Sequence, residues 1–167
     1  MNAILSAGLL IGVLSGIWMF VMGLTGWYKD PVLLNLFFLV IPIEVAGLVW
    51  GLRRTAKEGR GYGSQVVAGT MIAIVAGVVV IVASLLFTTL AFPGYFEELE
   101  ALHRDVLLQQ GVPPAQAAQQ AADASAGNTP MGQALLGFLG TLVTGIVATA
   151  VIAIRVRSRH PIPGPSF

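Results

Sequence analysis

The stretch VVAGTMIAIVAGVVVIVASLLFTTLAF, from Val66 to Phe92, carries neither a charged residue nor a proline. A helix rises ~1.5 Å per residue and the hydrocarbon core of a bilayer is ~30 Å thick, so about 20 such residues cross it. This run is long enough to tilt or to project beyond the core. Its apolar residues are continuous, whereas a strand of a membrane barrel alternates over segments of ~10 residues. Three more stretches have the same character: about 3–27 and 131–154, both uncharged, and about 31–52, whose one charge is Glu44. The expected fold is an all-α membrane protein with four transmembrane helices.

Composition agrees. The chain of 167 residues is 56% apolar and only 10% charged, against roughly 25% charged in an average soluble domain. Too few charges exist to give the molecule a polar shell, so lipid is expected to solvate much of its surface, and the bilayer is the first partner. A net charge of +1 gives no electrostatic reason to bind nucleic acid. The absence of cysteine excludes disulfides, thiolate metal sites and cysteine nucleophiles. The first span is longer than the apolar core of a signal peptide and has no preceding Lys or Arg, so it is expected to stay in the membrane.

The basic residues are segregated. Arg53, Arg54, Lys57 and Arg60 follow the second span, and Arg155, Arg157 and Arg159 follow the fourth, so seven of the nine lie on one side. The positive-inside rule makes that side cytoplasmic, with both termini on it. The whole chain, 1–167, reads as one membrane domain with an extracytoplasmic helical segment at 93–130 and a cytoplasmic tail at 155–167. Trp27, Tyr28, Phe92, Tyr95 and Phe96 are expected to ring the outer interface, with Trp50 at the inner one.

Asp30 and Pro31 read as an N-cap and first helical residue after a tight outer turn. The inner loop, Arg53 to Gln65, is basic and glycine-containing. In the outer segment Leu99, Leu102, Val106 and Leu107 form a helical stripe, Gly111 reads as a stop and Pro113–Pro114 as a restart. The second outer helix, Ala115 to about Ala124, is almost all Ala and Gln. Asn128–Thr129–Pro130 is a cap for the fourth span.

Small residues mark helix contacts in lipid, where close packing replaces the hydrophobic drive. Gly8, Gly12, Ser15, Gly16 and Gly23 fall within an arc of about 100° on the first span. Gly137, Thr141, Thr144, Gly145 and Ala148 share a face of the fourth. Internal packing is the simplest use of these faces, and a dimer interface is the other.

Glu44 is the costly residue. A charged carboxylate near mid-membrane costs at least ~2.5–3.5 kcal/mol, and no span offers a cation to pair with it. The neutral acid is therefore favoured, and it needs hydrogen-bond partners. Counting turns brings Ser15 and Thr144 to the same depth. Pro42, two residues earlier, removes a backbone donor and is expected to kink the helix and free a carbonyl. Two readings follow: a neutral acid that glues the bundle, or a proton- or cation-handling group.

No catalytic constellation is visible. His103 and His160 fall on opposite sides and cannot share a metal, and no phosphate-binding loop or nucleophile elbow occurs. No enzymatic activity, metal or cofactor is expected.

The order of elements, with Tyr95-Phe96-Glu97-Glu98, Leu107-Leu108-Gln109-Gln110-Gly111, Pro130 and Leu136-Gly137-Phe138-Leu139-Gly140, resembles a family of small bacterial four-span membrane proteins. That family is catalogued as a domain of unknown function, number 4199. The resemblance implies the architecture and a bacterial inner-membrane location, and it brings no activity or catalytic residue. From the sequence, the leading reading is an accessory or structural subunit of an inner-membrane assembly, partnered by other membrane proteins or by itself. The alternative is a proton- or cation-linked transporter or channel component that uses Glu44.

Overall fold

The computed structural model describes residues 2–157, and these are helical with short connections and no strand among them. Six α-helices follow in order: α1 (Ala3–Thr25), α2 (Val40–Ala56), α3 (Tyr62–Leu86), α4 (Tyr95–Gln109), α5 (Pro114–Ser125) and α6 (Pro130–Arg157). A 3-10 stretch, Leu33–Leu39, leads into α2, and a π turn, Phe87–Ala91, extends α3. Four helical stretches, Ala3–Thr25, Leu33–Ala56, Tyr62–Ala91 and Pro130–Val156, are long and apolar enough to cross a membrane. Their outward faces carry large exposed apolar side chains, among them Ile17, Val78, Val82, Leu136, Val143 and Val147. A surface of this kind belongs against lipid.

The bundle is ordered by close backbone approach. α3 packs most extensively on α6 and α1, and α2 closes the ring by touching α1 and α6. A Cβ built on Gly8 would lie 2.5 Å from the Val75 Cβ and 2.8 Å from the Ile72 carbonyl oxygen. One on Gly12 would meet the Val79 Cβ at 2.5 Å and the Ala76 carbonyl oxygen at 2.8 Å, and one on Gly16 the Ala83 Cβ at 3.0 Å. The glycine face of α1 is thus occupied by α3. Gly145 of α6 lies equally close to Ala73, and Gly137 faces Val80. Ala7, Ile11, Leu48, Ile72 and Ala76 form the fully buried centre of the bundle.

Several boundaries differ from the sequence reading, each for a physical reason. Arg53 and Arg54 lie in the last turn of α2 rather than in a loop, and α3 begins at Tyr62, so only residues 57–61 connect the two helices. Gln65 is fully buried, and its side-chain oxygen accepts a hydrogen bond of 2.7 Å from Thr55 Oγ1, which ties the end of α2 to the start of α3. Tyr28 and Tyr95 are buried in the protein rather than presented outward. They are 2% and 5% exposed and form a second core with Phe87, flanked by Phe20, Phe37 and Phe92. Arg159, His160 and the rest of the tail from residue 158 lie outside the described residues.

The caps follow ordinary chemistry. Gly26 ends α1 at φ +70 and Gly111 ends the α4 segment at φ +83, a region that disfavours residues with a Cβ. Asp30 Oδ1 accepts from the Val32 and Leu33 amides, and Thr129 Oγ1 from the Gly132 amide. Ala117 and Ala121 bury one side of α5 against α4, where the lack of bulk permits contact.

Gly12→Ala should lower stability by about 1–3 kcal/mol, because the new methyl must displace α3 backbone. Gly140→Ala meets nothing within 4 Å and should be neutral or stabilising by up to about 1 kcal/mol through helix propensity. Unfolding midpoints of the two variants in the same detergent check the contrast, and equal effects would contradict the α1–α3 contact.

Candidate functional site

Glu44 sits one turn into α2 and is 3% exposed. Its carboxyl reaches between α3 and α6: a Cβ on Gly145 would lie 3.0 Å from Glu44 Oε1 and 2.5 Å from the Ala73 Cβ. Glycine at 145 and alanine at 73 leave the room that the carboxyl occupies. Oε1 is buried and has no hydrogen-bond partner among the described residues. An unmet buried polar group of this kind costs about 1–3 kcal/mol.

The carboxyl borders a cleft of about 290 Å³. Ser15 of α1, Ser84 of α3, and Gln133, Thr141 and Thr144 of α6 line it with polar groups. Ser15 and Thr144 share this cleft with Glu44, yet neither is hydrogen-bonded to it. Ser84 is 11 residues along α3 from Ala73, which places it roughly 16 Å further toward the Tyr28 turn. The cleft therefore extends from Glu44 toward that end. Toward the basic end α2 continues to Leu48, one turn on, which lies in the apolar centre with Ile11 and Ile72. At the side, Phe38, Ile41 and Gly140 border the cleft and are exposed, so it opens laterally between the α2 segment and α6.

Pro42 shapes this wall. It has no amide hydrogen, so the chain before it cannot complete an α-helical ladder. The preceding residues wind as a 3-10 helix instead. The Trp18 indole of α1 donates to the Leu36 oxygen of this stretch at 2.9 Å. Asn35 is exposed and bonds to the Pro31 and Val32 carbonyls of its own turn.

The sequence reading missed Trp18, Gln133 and the Thr55–Gln65 pair. Gln65 Nε2 and Thr149 Oγ1 are also buried without partners. Nothing in residue type or spacing marks these side chains, because their burial depends on which helices are neighbours. Of the basic residues, Arg53 and Lys57 border a groove between α2 and α6, Arg54 stacks on Trp50, and Arg60 pairs with Glu58. Among the described residues no three His, Cys, Asp or Glu side chains converge as metal ligands would.

A second polar cluster lies at the turn. Tyr28 donates a hydrogen bond to Glu98 of α4, and Lys29 pairs with the same carboxylate at 3.0 Å. Burial, then the bond to Glu98 and its charge, push the Tyr28 phenol well above the ordinary tyrosine value. Tyr95 is pushed up to about 12 by burial and then by Tyr28. Glu98 is held below the usual carboxylate range by the bond from Tyr28 and then by that from Lys29, with partial burial opposing. These groups latch α4 onto the turn between the first two spans.

The family described as "Protein of unknown function (DUF4199)" matches residues 6–158. The chain belongs to that family. The matched region takes in most of α1 and all of α2 to α6, and so includes Glu44, its cleft and the α4 latch. No curated protein and no solved structure matches the chain.

The latch has a defined pH window. The lowered Glu98 value gives stability that is present above the unfolded carboxylate pKa of ~4.3 and lost as pH falls through the folded value. The raised phenol values give stability present below the unfolded tyrosine pKa of ~10 and lost as pH rises through the folded ones. Glu98→Gln should bring the onset of phenolate absorbance to lower pH, while burial keeps Tyr28 above free tyrosine. An unchanged ultraviolet titration would break the link between the two residues.

Proposed function

We propose that this protein is a non-enzymatic, proton- or cation-handling component of the bacterial inner membrane, with Glu44 as the group that takes the ion and both termini in the cytoplasm. The observation that carries this reading is the unpartnered Glu44 Oε1, buried beside a largely apolar cleft into which hydroxyls and an amide are set. An acid kept as packing glue would be hydrogen-bonded across the bundle, and this one is not. Intramembrane acids commonly mark ion pathways, where the cost of burying them serves a function.

The donor set suits a proton or a monovalent cation. One carboxyl supplies a single negative charge, and the Ser15, Ser84, Thr141 and Thr144 hydroxyls supply neutral oxygens along the approach. Access is one-sided in this conformation. An ion reaches Glu44 from the turn end or from the lipid side, and the apolar centre closes the way to the basic end. Release to that end needs a second conformation in which Ile11, Leu48 and Ile72 separate. The positive-inside rule puts the basic end in the cytoplasm, so the cleft faces the periplasm.

A role as accessory subunit drew support from the small-residue faces and the outer helical segment. The α1 face is filled by α3, and α4 latches onto the chain's own turn. Both features thus have a use within the chain, which weakens that support.

Proteoliposomes carrying the protein should pass protons or monovalent cations down an imposed gradient, and Glu44→Gln should reduce that flux at least tenfold. Glu44→Leu should also abolish flux yet raise stability by about 1–3 kcal/mol, since it removes an unmet polar group. Loss of stability in Glu44→Leu would restore the glue reading, and undiminished flux in Glu44→Gln would end the pathway reading. For orientation, Ser64→Cys should be labelled only from the cytoplasm and Ala118→Cys only from outside. The chain has no native cysteine to confuse the result.

A further inference from the structure

At the basic end, α2 and α6 enclose a groove of about 600 Å³ that the Glu44 cleft does not include. Along α2 its lining runs from Val45 and Val49 to Arg53 and Lys57. Along α6 it runs from Val151 and Ile152 to Arg155. Both helices thus present the same order, an apolar wall within the hydrophobic stretch and a cation where that stretch ends. The groove lies on the outer face of the bundle, where Arg53, Lys57 and Arg155 are all exposed.

Among the described residues, Arg53 and Lys57 are not neutralised by ion pairs. Glu58 is the one acidic side chain near this end, and it pairs with Arg60 at 2.9 Å. Neither Arg53 nor Lys57 makes an ion pair among the described residues. Arg54 is held apart, its guanidinium 4.1 Å from the centre of the Trp50 ring. The carbonyl end of α2 contributes about −0.5 charge, too little to offset Arg53 and Lys57 together.

We propose that this groove binds an anionic phospholipid, with the headgroup phosphate at Arg53, Lys57 and Arg155 and an acyl chain along Val45, Val49, Val151 and Ile152. The apolar wall explains why the ligand is a lipid and not a soluble phosphate. The cations explain why its headgroup is anionic. Basic pockets between membrane helices recognise lipid headgroups through this combination.

The test is thermal unfolding of the purified full-length protein in mild detergent, titrated with phosphatidylglycerol, phosphatidylcholine or soluble glycerophosphate. Phosphatidylglycerol should raise Tm in a saturable way, and the other two should not. The double variant Arg53→Gln/Lys57→Gln should need about thirtyfold more phosphatidylglycerol for the same shift, the equivalent of ~1 kcal/mol for each charge removed. Arg60→Gln removes a charge outside the groove and should respond like the unaltered protein. Equal shifts with phosphatidylglycerol and phosphatidylcholine would overturn the proposal, as would a shift of the same size with glycerophosphate. Equal loss in Arg60→Gln would reduce the effect to bulk charge and overturn it too. A Tm that rises with protein concentration and ignores the lipid would assign the groove to a second copy of the chain. Because the readout is lipid-dependent stability, it stands or falls separately from ion flux through Glu44.

Discussion

The structure depends on the approach of α1 to α3 across Gly8, Gly12 and Gly16. In lipid there is no hydrophobic gain from bringing two apolar helices together, so association rests on close van der Waals contact. Three absent side chains let the Val75 and Val79 methyl groups sit against α1 backbone. That contact fixes the depth of α1 relative to α3. Gly47 and Gly51 of α2 then meet Ile11 and Ala7, which sets α2 against α1. Gly145 meets Ala73, which sets α6 against α3. The position of Glu44 is the sum of these registers.

Glu44 is the exception to this economy of small contacts. Most close approaches in the bundle bring apolar atoms or backbone together, whereas this one delivers a carboxyl to the space between Ala73 and Gly145 and leaves Oε1 unmet. A bundle selected for stability alone would carry leucine there. The surroundings do not neutralise the cost. They offer hydroxyls at a distance and an opening on one side, which is what an exchangeable ligand requires and a permanent bond does not.

The spans were legible because charge and proline are missing over long runs, and that property is local. Glu44 was legible for the same reason in reverse, as the only charge within a span. Other features depend on pairs of residues far apart in the chain. Gln65 reads as loop until Thr55 of the preceding helix is placed beside it. Tyr28 and Tyr95 read as interfacial aromatics until α4 folds back and covers them. Leu33–Leu39 reads as ordinary α-helix, and its tighter winding reflects Pro42 downstream and the Trp18 indole on another helix. Ser15 and Thr144 could be matched to Glu44 by depth alone. Ser84 and Gln133 could not be joined to the cleft without knowing that α3 lies beside α6.

The 3-10 stretch has a mechanical consequence. None of its residues from Leu33 to Leu39 is buried, whereas α2 below Pro42 anchors Leu48, Gly51, Leu52 and Thr55 in the interior. The second span is therefore two bodies of unequal stiffness joined at a proline. Segments with few buried contacts open at the low end of a protein's range of local stabilities. The softer body forms one wall of the cleft, and Glu44 stands two residues past the joint. Displacing that wall would uncover the carboxyl without disturbing the anchored part of α2. Leu34 and Phe37 rest against the core of Tyr28, Phe87 and Tyr95, and the Trp18 indole adds a hydrogen bond from α1, so the wall is built like a hinged shutter with Trp18 as its catch.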